Sequence, residues 1–317
     1  MDKSHEHDEA SRLMLLPAEL RLQIYEYLFS STRLTHPKRR TRRFAKRRKL
    51  APSGLAILRS CRLINAEIGN SWLGQVEFKF KNVKIMLEKL SAVPRAVIEK
   101  IRRVFVASDE LMIWPDELED GLDYTLPWAL KLLPDLCLDT LTVIGTSKPR
   151  VEYDTLNDLV KHGSGWKTLL YLTKNSKMLG FPRSRADTYQ RKPQPSAWSD
   201  DLIQRDGADS GAYVKIYRST EPNIRYGVFN LRKAKSFEQK LSPHESLEAF
   251  GLKRDAWLMH RTEIWKSLLV IARRGENASL VEDPKMPFHE KDIRQWSGHG
   301  TWPEIKEHGH HLYGEYY

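Results

Sequence analysis

Between residues 76 and 173, short apolar stretches of strand character alternate with stretches of helical period, and this alternation constrains the fold more than any other feature. Val76 to Phe80 puts Val76, Phe78 and Phe80 on one side of an extended chain. Val83 to Leu90 reads as a helix that ends by Pro94, and Ile101 to Ala107 as a second strand. Pro127 to Leu133 is helical, Pro134 breaks it, and Leu138 to Gly145 is a third strand. Asp154 to Lys161 is helical, while Trp166 to Thr173 fits a strand or a helix. With Phe78, Val104, Leu141 and Leu170 as strand centres, the spacings are 26, 37 and 29 residues. An irregular helix–strand repetition of this kind predicts an α/β or α+β body.

The flanking regions are less regular. Residues 182 to 211 carry Pro182, Pro193, Pro195, Gly207 and Gly211 among polar residues, the composition of a surface loop or linker. Beyond it, Ala212 to Tyr217 and Tyr226 to Phe229 read as strands, and Ser246 to Gly251 and Trp257 to Ala272 as helices. The division that follows is an N-terminal helical unit over 13–75 with a basic insert at 33–50, then a helix–strand body over 76–181. A loop or linker over 182–211, a C-terminal α+β part over 212–297 and a tail over 298–317, either docked by its aromatics or frayed, complete it.

In the N-terminal unit, Pro17 suits a first helical turn, where its missing N–H costs nothing. Leu20, Ile24, Tyr27 and Leu28 then share one helix face. Leu22, Tyr25 and Phe29 make a second apolar face. A short helix that is apolar on two sides needs two neighbours: its own domain plus a partner protein, or a core that surrounds it. A second helix is expected after Pro52-Ser53-Gly54, with Ile57, Cys61, Ile64 and Ile68 on one face and Cys61 as a small core residue.

These two helices, Leu16-Pro17-Ala18-Glu19-Leu20-Arg21 with Ile24-Tyr25-Glu26-Tyr27-Leu28 and Leu58-Arg59-Ser60-Cys61-Arg62 with Glu67, resemble the fungal F-box-like proteins. Phe78-Lys79-Phe80, Leu133-Pro134 and Leu138-Asp139-Thr140-Leu141-Thr142-Val143 extend the resemblance over roughly residues 13 to 145. The resemblance implies an F-box-like helical unit followed by an α+β body whose repetition is loosely like a leucine-rich-repeat array. The repeated consensus asparagine of such arrays is missing. It also implies a non-catalytic substrate receptor that docks on the adaptor subunit of a cullin–RING ubiquitin ligase and recruits an unknown protein substrate. The docking residues it points to are Leu16, Pro17, Leu20, Ile24 and Leu28, with Cys61, Arg62 and Ile64 from the second helix. The sequence departs from the F-box pattern in one respect: 28 residues separate Phe29 from Leu58 where a short loop is usual.

That gap holds most of the excess charge. The chain carries 52 basic and 41 acidic residues, a net charge of +11. Nine of the basic residues are Lys38, Arg39, Arg40, Arg42, Arg43, Lys46, Arg47, Arg48 and Lys49, with no acid among them. Without them the chain is nearly neutral, so no broad basic face is implied. The run has three readings: a nuclear-localisation signal read by an importin, a nucleic-acid or acidic-partner contact, and a solvated insert. Phe44 is its one aromatic residue, so no base-stacking platform is evident. The alternative to a ligase receptor is therefore a nuclear scaffold or nucleic-acid-binding protein acting through residues 38–49.

Other function classes find little support. At 317 residues and 40% hydrophobic, the chain is long enough for a sizeable core, yet no apolar run nears the roughly 20 residues of a membrane span. Residues 1–10 are polar and Leu13 to Leu16 is too short for a signal-peptide core. Two cysteines argue against a disulfide framework, so a nuclear or cytoplasmic protein is expected rather than a secreted one. Gly163-Ser164-Gly165-Trp166-Lys167-Thr168 lacks the glycine spacing of a phosphate loop, and Cys137 lies in an apolar stretch suited to packing. His5, His7, His308, His310 and His311 have no cysteine partners or zinc-motif spacing. Glu117, Glu119 and Asp120 read as surface charge. No catalytic motif, metal site or cofactor is expected.

Overall fold

The structure is a computed structural model that describes residues 11–35, 54–113, 122–146, 148–179, 196–222, 239–240, 265–282 and 287–307. Its centre is a mixed eight-stranded sheet in an α+β chain. The strands are β1 (Arg33–Thr35), β2 (Glu77–Phe80), β3 (Arg103–Ala107), β6 (Leu138–Ile144), β7 (Trp166–Thr173), β8 (Tyr213–Pro222), β9 (Gln239–Lys240) and β10 (Lys266–Arg273). Two further strands, β4 (Leu111–Ile113) and β5 (Leu122–Tyr124), pair with each other as a separate antiparallel ribbon.

The sheet order is β1-β2-β3-β6-β7-β10-β8-β9. The first five strands run parallel; β10, β8 and β9 add in antiparallel fashion. Each parallel neighbour in the body is reached through a helical crossover, the connection that parallel strands require. The helices are α4 (Val83–Leu90) and α5 (Arg95–Ile98) between β2 and β3, α6 (Leu126–Leu130) before β6, and α7 (Pro149–Lys161) between β6 and β7. α8 (Ser196–Asp206) precedes β8, and α9 (Ile293–Ser297) and α10 (Trp302–Glu307) follow β10.

Register explains the main core. Val104, Leu141, Leu169, Ala272 and Val214 form one cross-strand row, and Val106, Val143, Tyr171, Val270 and Ile216 the next. Both rows belong to a single buried cluster with side chains of α4, α6, α7 and α8. On the opposite face Leu170, Leu172 and Leu269 form a smaller cluster with Tyr217 and Ile271. β7 and β10 are thus apolar on both faces, as central strands of such a sheet are.

Local chemistry sets the helix limits. Asn82 caps α4, its Oδ1 accepting from the Ile85 N–H at 2.9 Å. Pro149 opens α7 in the first turn, where no N–H is needed, and Lys161 closes it beside the negative dipole end.

The helix–strand alternation is present, and its strand centres are neighbours in space. Phe78 pairs with Val104, and Val104 with Leu141, which pairs with Leu169. Two expectations need correction. Within the stretch expected as loop or linker, 196–206 is the helix α8, which buries Trp198 and Leu202 against the main core. The helix expected over 257–272 is strand β10 over 266–273, and 257–264 lies outside the described residues. Leu268-Leu269-Val270-Ile271 is apolar at every position, so it has no period to separate a buried strand from a buried helix. Its pairing with β7 and β8 decides the matter. Of the two readings of the tail, docking by an aromatic holds for residues 302–307, which are helical with Trp302 and Ile305 buried. The segments 226–229 and 246–251 lie outside the described residues.

Candidate docking face of the N-terminal unit

The N-terminal unit consists of α1 (Ala18–Ser30), a 3-10 turn over Gly54–Arg59, α2 (Arg62–Ile68) and α3 (Trp72–Gln75). It has its own small core. Tyr25, Phe29, Ile64, Ile68 and Val76 are buried together, and Leu13, Met14, Leu34, Leu55, Ile57, Leu58, Trp72 and Phe78 pack around them. Only two residues of α1 are buried, Tyr25 and Phe29, one turn apart.

The remaining apolar residues of α1 point outward. Leu20 is 46% exposed, Ile24 41% and Tyr27 74%, at spacings that align them along one side of the helix. Leu22 and, just before the helix, Leu15 are also exposed. Leu63 of α2 adds a further exposed side chain. Isolated exposed leucines are ordinary, but a row of large apolar groups on one short helix is the kind of patch that marks an interaction surface.

The face is held in place from behind. Arg21 reaches from α1 to Glu67 of α2, with Nε at 3.1 Å from Oε2 and a second close contact through Nη2. Its Nη1 also donates to the Leu16 carbonyl. The Tyr25 hydroxyl donates to the same Glu67 carboxylate at 3.3 Å. Hydrogen bonding from Arg21 draws the Glu67 pKa below its ordinary value, and burial raises that of Tyr25. The Glu67 carboxylate therefore joins the two helices, and Arg21 ties in the turn before α1.

The eight sequence-derived docking residues divide by position. Pro17, Leu20 and Ile24 are exposed, and Leu16 and Leu28 are half-buried. Arg62 is exposed at the start of α2. Ile64 is buried at 4% exposure and supports the unit from within. Cys61 corrects an expectation: it is exposed, not a small core residue. It caps α2, its Sγ accepting from the Ile64 N–H at 3.5 Å. The reason is local, because a 3-10 turn ends at Arg59 and its three residues per turn break the 3.6-residue spacing that would place Cys61 inward.

The basic residues Lys38, Arg39, Arg40, Arg42, Arg43, Lys46, Arg47, Arg48 and Lys49 lie outside the described residues. The chain leaves toward them after Thr35 and returns at Gly54. Gly54 sits so close to Thr32 that an added Cβ would lie 2.1 Å from its Oγ1 and 3.2 Å from Leu28. Both ends of the segment are therefore anchored near the C-terminal end of α1. Leu20 lies eight residues earlier, about 12 Å along the helix at 1.5 Å per residue.

Elsewhere, a cavity of about 330 Å3 opens between α6 and the segment after β10, with Leu130, Leu133, Leu136, Phe288 and Arg294 among its lining. Lys131, itself only 7% exposed, pairs with Glu282 on its wall, and Glu282 also holds Arg294 at 2.8 Å. Gly163 to Gly165 lies between a helix and a strand, whereas a phosphate loop connects a strand to a helix, so that reading falls away. Cys137 is half-buried, and its carbonyl accepts from Arg102. Among the described residues, no group of three or more His, Cys, Asp or Glu side chains is placed to hold a metal ion, and no helix is long and apolar enough to cross a membrane. No protein-family model, curated protein or solved structure matches this chain.

Proposed function

We propose that this chain is an F-box-like interaction module and the substrate receptor of a cullin–RING ubiquitin ligase. On this reading α1 docks on the adaptor subunit through Leu16, Pro17, Leu20, Ile24 and Leu28, with Cys61 and Arg62 beside them. The repeat-like body carries the target. The observation that carries the reading is the double character of α1: Tyr25 and Phe29 face its own core while Leu20, Ile24 and Tyr27 face solvent. Burying a leucine or isoleucine of this kind against a partner groove contributes roughly 1.5–3 kcal/mol each when burial is complete. The side-by-side parallel strands β2, β3, β6 and β7 suit a receptor that presents a rigid body to its target, in the manner of a leucine-rich-repeat-like array.

The test is co-purification of tagged protein with cullin and its adaptor from a fungal extract, for wild type and for Leu20→Asp with Ile24→Asp. Both positions are exposed, so the double variant should fold with an unchanged circular-dichroism spectrum and lose the adaptor. Absence of adaptor and cullin from the wild-type sample would overturn the proposal.

A further inference from the structure

Three aromatic rings meet where α6, the end of α7 and the segment before α9 come together. Trp128 stacks on His289 with ring centroids 4.9 Å apart and on His162 at 5.7 Å. The two imidazoles contact each other at 4.6 Å. His162 is the C-cap of α7, and His289 lies in the short segment 287–292 that leads into α9. That segment carries Phe288, which lines the 330 Å3 cavity together with Arg294, two residues beyond it.

The charges around the stack are few and mostly committed. Asp158 of α7 accepts from Trp128 Nε1 at 3.2 Å and lies 3.8 Å from Lys291 Nζ. Lys161 of α7 and Arg205 of α8 disfavour a charge on His162. Arg205 is fixed there, donating to the carbonyls of Val160 and Gly163. Glu290, the nearest acid on the segment itself, is exposed. His289 Nδ1 accepts from the Lys291 N–H at 3.2 Å, so that nitrogen carries no proton in this arrangement. The His289 carbonyl accepts from the Asp292 N–H at 2.8 Å, and Asp292 then caps α9.

We propose that the Trp128–His162–His289 stack is an acid-sensitive latch that holds segment 287–292 and its wall of the cavity in place at neutral pH. One imidazolium is tolerated, because the indole face attracts a cation. A second places two cations in ring contact beside Lys161, Lys291 and Arg205; among the described residues Asp158 and, on the segment itself, the exposed Glu290 are the acids that offset them, and the repulsion exceeds the attraction to the indole face.

Burial first, and His289 second, lower the pKa of His162 below its ordinary value. The closed state therefore excludes the proton that the open state binds. Latch stability is complete above the ordinary imidazole pKa and is lost as pH falls through the depressed value.

Hydrogen exchange of the intact chain, corrected for intrinsic rates, reads this directly at about pH 7.5 and about pH 5. Protection of the Lys291, Asp292 and Gln295 amides should fall by about threefold or more on acidification, while the β7 amides of Leu169 to Leu172 stay protected. His289→Phe keeps a ring on Trp128 but takes no proton, so its ratio of protection between the two pH values should be near one. His162→Phe, read in the same way, guards against a local folding defect in the first variant. Equal protection of the wild-type segment at both pH values overturns the latch, as does a wild-type pH loss persisting in both variants.

Discussion

α1 and α7 are both 13 residues long, yet they spend their apolar residues differently. In α7, Tyr153, Leu156, Leu159 and Val160 are buried in the sheet's core, and Val151 is buried as well. In α1, Tyr25 and Phe29 are buried while Leu20, Leu22, Ile24 and Tyr27 remain exposed. The difference separates a helix whose apolar stripe is fully used by its own fold from one that keeps a surplus. Such a surplus costs solubility and contributes less to the fold than full burial would, which is why it directs attention to a partner.

The contrast can be broken most sharply in the two cores. Phe29→Ala removes the one fully buried aromatic among the described residues of the small N-terminal core and should cost about 3–5 kcal/mol, with amide protection lost in α1 and α2 and retained in β6 and β7. Leu156→Ala in α7 should cost about 2–5 kcal/mol and lower the global urea midpoint instead. Equal loss of protection across both regions in Phe29→Ala would show one cooperative core rather than two.

Acid should act next. The Glu67 pKa is drawn down by Arg21, so its stabilisation is complete above the ordinary carboxylate value and is lost as pH falls through the depressed one. Far-UV circular dichroism and exchange of α1 and α2 amides should therefore show the N-terminal unit loosening in acid. In Glu67→Gln that pH dependence should disappear. The smallest effect belongs to the exposed row: Leu22→Ser or Tyr27→Ser should change thermal stability by no more than about 0.5 kcal/mol. A larger loss would mean that these side chains serve the fold after all.

Much of this was readable in the residues. The period-2 pattern at Val76, Phe78 and Phe80, the helix over 83–90 and the strand near 138–145 all follow from spacing plus Pro punctuation. Helix α8 was hidden because 182–211 is dominated by turn-forming and polar residues, while only Trp198 and Leu202, with Ile203 partly buried beside them, face the core. Strand β10 was hidden for the opposite reason, since an unbroken apolar run has no period. The His162–His289 contact joins residues 127 positions apart, and no local pattern encodes such a meeting.

The amino-acid sequence alone determined that α1 is apolar on two sides, because helix geometry assigns Leu20, Ile24 and Tyr27 to one face and Tyr25 and Phe29 to another whatever surrounds them. It could not determine which side turns inward. That was settled by tertiary structure, where the Arg21–Glu67–Tyr25 contacts and the packing of Ile64 and Ile68 take the Tyr25 side and leave the Leu20 side to solvent. Burial is a property of pairs of surfaces, and only the fold brings the second surface into place.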